Sequence, residues 1–245
     1  NLFRRIALFR AQALVVPSQR LEHIARTVWQ QPAAKVRRVP NGIPVAAYAH
    51  RPEPDVLPRL IKHPGEYWLG TLAGRRKVKN LPRLVRAFAA LPEEWQLVIV
   101  GEGPERDAIR AEAVALNIGH RVHLPGFAPD PAKVVGLFDL FALSSDSEQF
   151  PISVVEAMAA GLAVVAPQGG DVAAMVAEPN RRFLTPIGDD AALSDALADL
   201  AADAQTRAAI GAANRAKAEA EYDEATMVAT YGRIYAGAMG KIKFP

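Results

Sequence analysis

Eight short runs rich in Val, Leu and Ile, separated by stretches of helical periodicity, leave this chain few folds to choose from. The runs are Leu14–Val16, Val36–Val39, Tyr67–Leu72, Leu97–Val100, Val122–Leu124, Leu140–Leu143, Ala163–Ala166 and Phe183–Thr185. Between and after them, helical spacing marks Arg20–Gln30, Leu81–Leu91, Pro104–Leu116, Ala132–Phe138, Ile152–Ala160, Val172–Val176, Ala191–Ala202, Gln205–Glu221 and Ala225–Met239. Apolar runs without alternation are strands buried on both faces, and strands that alternate with helices pair in parallel. The expected fold is α/β, a doubly wound parallel sheet with right-handed crossovers. His50–Gly65 carries Pro52, Pro54, Pro58 and Pro64 with little periodicity, and reads as an irregular surface connection.

Composition removes several kinds of chemistry. The chain has no Cys, which excludes disulfides, thiolate nucleophiles and Cys-ligated zinc and fits a reducing compartment. An apolar fraction of 50% with 22% charged residues is that of a folded domain rather than a disordered chain. The longest apolar stretches, about ten residues, are too short to span a bilayer. Charge is uneven. Residues 1–40 hold eight basic groups and one acid, Glu22, a net +7, so the other 205 residues sum to −4. The basic groups interleave with Leu2, Phe3, Ile6, Leu8 and Phe9, which predicts an amphipathic helix packed on something else. Nucleic acid is not expected as a partner, because the basic start lacks interleaved aromatic stacking residues. His23, His50, His63, His120 and His123 have no metal-ligand spacing.

The segments that follow the strands carry the chemistry. In open α/β sheets ligands bind at the carboxyl ends of the strands. There the chain places Ala73-Gly74-Arg75-Arg76-Lys77-Val78-Lys79-Asn80, Gly101-Glu102-Gly103-Pro104, Pro125-Gly126-Phe127, Ser144-Ser145-Asp146-Ser147-Glu148-Gln149-Phe150-Pro151 and Pro167-Gln168-Gly169-Gly170. Arg75, Arg76, Lys77 and Lys79 precede a helix start, where free N–H groups and the dipole add to their charge, and the combination suits a diphosphate. No Gly-x-x-x-x-Gly-Lys-[Ser/Thr] is present, and Gly101-x-Gly103 lacks its third glycine, so neither a P-loop nor a dinucleotide fingerprint explains the cluster. Pro151 suits the first turn of a helix, which sets Glu148 in the loop before it and Glu156 one and a half turns in. Glu156 there sits among Ile152, Val154, Val155, Ala157, Met158 and Ala159, where a carboxylate needs hydrogen-bond donors such as vicinal ribose hydroxyls. Glu148 is placed either to accept sugar hydroxyls or to meet developing positive charge.

Glu148-Gln149-Phe150-Pro151-x4-Glu156 resembles the Glu-x7-Glu motif of the family 4 (group 1) glycosyltransferases, retaining enzymes of GT-B fold. The order of the other motifs agrees. Val39-Pro40-Asn41-Gly42-Ile43, Lys79-Asn80-Leu81, Val98-Ile99-Val100-Gly101-x-Gly103-Pro104, Leu124-Pro125-Gly126-Phe127, and Glu156-Ala157-Met158-Ala159-Ala160-Gly161 with Gly169-Gly170 each resemble family segments over residues 36 to 180. Two positions depart. The family's Gly-Arg-Leu ahead of the lysine reads Ala73-Gly74-Arg75, with the arginine shifted to Arg75 or Arg76, and Gln149 stands where Gly is common.

The resemblance implies one half of a GT-B fold, a Rossmann-like domain that binds a UDP-, GDP- or ADP-sugar donor without a cofactor or bound metal. It implies Glu148 as the catalytic carboxylate against the donor sugar, main-chain N–H groups of Gln149 and Phe150, with Pro151 and Ile152, around sugar and phosphate, and Glu156 at the ribose. Lys79 with Arg75 or Arg76 would hold the diphosphate, and Gly126-Phe127 would flank the base. The expected organisation is a remnant of an N-terminal acceptor domain over 1–35, a donor domain over 36–221 and a returning C-terminal helix over 222–245. A glycan or lipid acceptor would then reach the site through a missing N-terminal domain, in the cytoplasm or at the cytoplasmic face of the membrane. The other readings are a nucleotide-sugar binding module without turnover and another enzyme of the same fold, such as a nucleotide-sugar 2-epimerase.

Overall fold

The structure, a computed structural model, describes residues 2–244 apart from the Leu2 and Arg5 side chains. Expectations for Asn1, Pro245 and those two side chains lie outside the described residues. The chain forms two compact units, one of residues up to 45 together with those from 220 onward, the other of Ala46–Glu219.

In the first unit β1 (Leu14–Val16) pairs in parallel with β2 (Val36–Arg38). Helix α2 (Gln19–Thr27) packs on β2, closing a small core of Val16, Ala25 and Val36. Ser18 starts α2 because its hydroxyl accepts the Leu21 N–H at 3.1 Å, satisfying one of the free donors of the first turn. The sequence reading begins the donor domain at residue 36; here β2 pairs with β1, and residues 36–45 group with this unit. Ile43 bridges to Asp223 just before α9 (Glu224–Ala238), with Ile43 N–H donating to the Tyr222 carbonyl at 2.9 Å. A Cβ on Gly42 would lie 2.8 Å from the Glu224 Cα, so only glycine permits this approach. Helix α1 (Leu2–Ala7) leaves Phe3 and Ile6 exposed, as is Phe9 just beyond it.

The second unit is the doubly wound sheet that the apolar runs predict. Its strands β3 (Tyr67–Leu72), β4 (Trp95–Val100), β5 (Val122–Gly126), β6 (Leu140–Ala142), β7 (Val164–Pro167) and β8 (Leu184–Thr185) run parallel in the order β5-β4-β3-β6-β7-β8. The remaining helices are α3 (Leu81–Phe88), α4 (Arg106–Ala115), α5 (Ile152–Ala159), α6 (Val172–Met175), α7 (Asp190–Ala202) and α8 (Ala204–Glu221). Helix α3 packs between α4 and α7 over a core of Leu69, Leu97, Ile99, Leu140 and Val165 with Leu84, Val85 and Phe88. The neighbouring strand residues Trp68, Val98, Phe141 and Val164 are just as buried, so both faces are covered.

One predicted helix is corrected. Ala132–Phe138 forms two single 3₁₀ turns, Pro131–Lys133 and Val135–Leu137, broken at Val134. Pro52 packs so close to Gly136 that a Cβ there would lie 2.6 Å from its ring, and Phe138 turns its own ring against Gly70. Tertiary packing on these two glycines outweighs the helical periodicity. His50–Gly65 is irregular, apart from an isolated Leu57–Leu60 bridge. From β3 the chain winds outward through β4 to β5, then returns to β6 on the opposite side of β3. The carboxyl ends of β3 and β6 therefore flank the point where winding reverses, the position at which such sheets open a crevice.

Candidate functional site

Two loops meet at that point, 73–80 after β3 and 143–151 after β6. Backbone and side chains lock them together. Asp146 N–H donates to the Val78 carbonyl at 2.9 Å, and the Ser144 hydroxyl to the Lys79 carbonyl at 3.0 Å. Asn80 takes the left-handed conformation with φ 43°, which Asn tolerates better than most residues, and its amide donates to Asp146 at 3.1 Å.

At the centre Lys79 Nζ lies 2.5 Å from Glu148 Oε1, and the Ser145 hydroxyl donates to the same oxygen at 2.6 Å. The Glu148 side chain is 8% exposed and that of Lys79 16%, so the pair is largely withdrawn from water yet open on one side. Both contacts fall on Oε1. Helix α3 begins after Asn80 and α5 after Pro151, and neither has a side chain capping its first N–H groups or an acid in its first turn. Two uncapped N-termini thus add positive potential beside a lysine.

Arg75 requires a correction. Its N–H donates to the Glu102 carbonyl at 2.8 Å, its own carbonyl accepts from Glu105, and this extended pairing turns the side chain inward. Arg75 is 1% exposed and donates to the Ile99 carbonyl at 3.2 Å, so it does not reach the loop surface. Burial, with the Arg106 charge next, lowers its pKa below the usual arginine value. Arg76 is exposed instead, and its Nε sits 3.7 Å from where a Cβ on Gly74 would stand. Gly74 stands at the position where the resemblance places an arginine, and the exposed Arg76 side chain lies beside it.

The Gly169-Gly170 turn presses on the second loop. Asp171 N–H donates to the Gln149 carbonyl at 2.9 Å, and a Cβ on Gly170, where φ is +60°, would lie 2.4 Å from that same oxygen. Gly170→Ala is expected to destabilise the fold by about 2–4 kcal/mol, combining left-handed strain with a backbone clash. Urea unfolding checks this, and a midpoint equal to that of the unaltered chain contradicts it.

Glu156 stands on α5, half-buried, with the Tyr48 hydroxyl donating to its Oε1 at 3.1 Å. Burial raises the Glu156 carboxyl above its usual range, and the Tyr48 bond draws it partly back. Gly126 ends β5 and Phe127 follows it, on the same carboxyl edge beyond β4. The Gly126 carbonyl accepts from Gly101 at 2.7 Å, and Phe127 is 70% exposed. Gln149 and Ile152 are also exposed, and Pro151 is buried beneath them, with Phe150 between these extremes. The structure thus joins Lys79 directly to Glu148, sets Arg76, Gln149, Phe150, Pro151 and Ile152 on the flanking loops, and leaves Glu156 one turn further and Gly126-Phe127 at the edge.

Sequence reasoning missed Arg83. It donates to Asp146 Oδ1 at 2.7 Å, to Asp190 Oδ1 at 2.7 Å and to the Ser144 carbonyl at 3.2 Å, tying α3 and α7 to the β6 loop. Burial opposes ionisation of Asp190, but hydrogen bonds from Arg86 and Arg83 hold its carboxyl below the usual range. His123, within β5, meets Gln96 Oε1 at 2.9 Å, a structural contact. A cavity of about 730 Å³ lies between β8 and α7, but no residue of the two central loops lines it. Charge and hydrogen-bonding groups, rather than enclosed volume, mark the switch point.

The family model for glycosyl transferases group 1 matches residues 59–217. Phosphatidyl-myo-inositol mannosyltransferase of Mycolicibacterium smegmatis is 32% identical over 222 residues, 86% of this chain and 55% of the relative. N-acetyl-alpha-D-glucosaminyl L-malate synthase of Bacillus anthracis is 28% identical over 162 residues, 65% of this chain and 42% of the relative. HepE of Anabaena, solved in complex with UDP, superposes with a TM-score of 0.82 at 22% identity, covering 95% of this chain and 66% of that one. Sucrose-phosphate synthase of Thermosynechococcus elongatus superposes at 0.84 with 24% identity, covering 98% and 62%. These solved structures share the fold. The chain spans about half the length of the relatives it matches.

Proposed function

The chain belongs to the glycosyl transferases group 1 family, and on that premise we propose that its 46–219 unit binds a nucleotide-diphosphate sugar as the donor half of a retaining, family 4 type transferase. The observation that carries the proposal is the Lys79–Glu148 pair between two uncapped helix N-termini at the switch point. A lysine held by a carboxylate beside two helix N-termini without side-chain caps is a diphosphate site in waiting. An incoming diphosphate draws the lysine away and releases Glu148 toward the sugar. The relatives named phosphatidyl-myo-inositol mannosyltransferase and N-acetyl-alpha-D-glucosaminyl L-malate synthase, and HepE with its bound UDP, support the same class of ligand.

In this scheme Lys79, Arg76 and the first N–H groups of α5 stabilise the charge that grows on the leaving diphosphate. Glu148 faces an anomeric carbon that gains oxocarbenium character as the bond to the diphosphate lengthens. Main-chain N–H groups at Gln149 and Phe150 hold sugar and phosphate oxygens, Glu156 takes the ribose hydroxyls, and Gly126-Phe127 flanks the base. The scheme uses side-chain cations and no metal ion. The acceptor is a glycan or lipid, as in the lipid-directed mannosyltransferase among the relatives. We place the reaction in the cytoplasm or at the cytoplasmic face of the membrane.

Calorimetric titration with UDP, GDP and ADP tests the proposal. Binding of one of them in the micromolar range is expected, and Glu156→Gln is expected to weaken it about tenfold while leaving inorganic pyrophosphate unaffected. Absence of binding to all three at millimolar concentration contradicts the proposal. Equal nucleotide affinity in Glu156→Gln removes Glu156 from the site.

A further inference from the structure

The geometry points to Tyr48 as a positioning residue that orients the Glu156 carboxylate for the ribose hydroxyls of the nucleotide, an inference that rests on the donor-binding reading. Tyr48 ends the 3₁₀ turn Val45–Tyr48, more than a hundred residues before the helix it touches. It is 6% exposed, so its ring is packed in place and its hydroxyl has little freedom to rotate away. That hydroxyl donates to Glu156 Oε1 at 3.1 Å.

A glutamate side chain has three rotatable bonds, and among the described residues the Tyr48 hydroxyl is the one side chain that hydrogen-bonds its end. Val154, Val155, Ala157, Met158 and Ala159 carry no donor side chain, and the Ser153 hydroxyl three residues earlier makes no hydrogen bond to Glu156. The phenol supplies the missing constraint. With Oε1 tethered, Oε2 is presented in one orientation, and the order needed to grip a diol is established before the ligand arrives. A phenylalanine at this position would fill the same space and leave the carboxylate to rotate.

Electrostatics agrees with the geometry. Burial, followed by the Glu156 charge, raises the Tyr48 phenol well above its usual value, so it is a permanent donor at physiological pH. The titratable groups bearing on the pair are Glu156, Tyr48 itself and Asp130, whose charge also acts on Tyr48. Because the Tyr48 bond lowers a Glu156 pKa that burial raises, its removal sends that pKa higher. Ligand affinity that depends on ionised Glu156 is present above this pKa and fades as pH falls through it, so in Tyr48→Phe the fade begins at higher pH.

The experiment compares the unaltered chain with Tyr48→Phe, using calorimetry with UDP, GDP and ADP, their 2′-deoxy counterparts and inorganic pyrophosphate, together with carbon NMR titration of the Glu156 carboxyl. Tyr48→Phe is expected to weaken the bound ribonucleotide about tenfold, equivalent to ~1.4 kcal/mol. It should leave pyrophosphate unchanged, reduce the preference for ribo- over deoxynucleotide, and move the Glu156 titration to higher pH. Equal ribonucleotide affinity in the two proteins, or a loss shared equally with pyrophosphate and the deoxynucleotides, overturns the assignment. An unmoved Glu156 titration does so independently of any ligand. If the unaltered chain binds none of the nucleotides, the donor reading falls and takes this assignment with it; if it binds and Tyr48→Phe binds equally, only the assignment falls.

Discussion

On the proposed donor reading, replacing Glu148 by Gln is expected to lower sugar transfer about a hundred- to a thousandfold, the usual cost of losing one preorganised electrostatic group. Nucleoside diphosphate affinity should hold or rise. The position of the carboxylate sets this effect. Its side chain is 8% exposed, and Lys79 and Ser145 both bind Oε1. Glutamine keeps the volume and the Ser145 contact but removes the charge that would meet an oxocarbenium-like sugar. It also releases Lys79 from its only carboxylate partner among the described residues, so the lysine is freer to meet a diphosphate. Steady-state kinetics beside calorimetry separate the two effects. Turnover within twofold of the unaltered protein would refute a catalytic role for Glu148.

Lys79→Ala has the opposite signature. It removes the cation proposed to meet the diphosphate and leaves Glu148 without its counter-charge next to an anionic ligand. A charge-assisted hydrogen bond contributes about 1.5–3 kcal/mol, so nucleotide affinity should fall roughly ten- to a hundredfold. Pyrophosphate should lose affinity too, unlike its behaviour with Glu156→Gln. The two residues touch, so their effects should not add. In Lys79→Ala/Glu148→Gln the repulsion from Glu148 is gone, and affinity should recover part of the loss. Unchanged affinity in Lys79→Ala contradicts the assignment of the diphosphate to this loop.

Much of the architecture is readable from the chain because strand signals here are blunt. β1 and β3 match the predicted runs residue for residue, since apolar stretches end at Pro17 and at Ala73-Gly74. Boundaries slip where a polar residue lies inside a strand. β4 begins at Trp95, two residues before the predicted run, because Gln96 hides its start. Helical periodicity over 132–138 gives way to packing against Pro52 and Gly70, which no local pattern records.

The site divides along the same line. Lys79, Glu148 and Glu156 follow from short-range order, a cation before a helix start and carboxylates set by Pro151. Which of Arg75 and Arg76 faces outward depends on a backbone pairing with Glu102 and Glu105, a long-range contact. Tyr48 and Arg83 are invisible for the same reason. Their partners lie 61 to 108 residues away, and neither residue belongs to a cluster in the sequence.

The central claim is that the diphosphate lies between the β3 loop and the start of α5. A crystal structure of the chain with the nucleoside diphosphate that binds most tightly tests it directly. Phosphate oxygens are expected within hydrogen-bond distance of Lys79 Nζ and of main-chain N–H groups at the α5 start, with Lys79 drawn off Glu148. A nucleotide bound elsewhere on the unit, with the Lys79–Glu148 pair still closed, would contradict it.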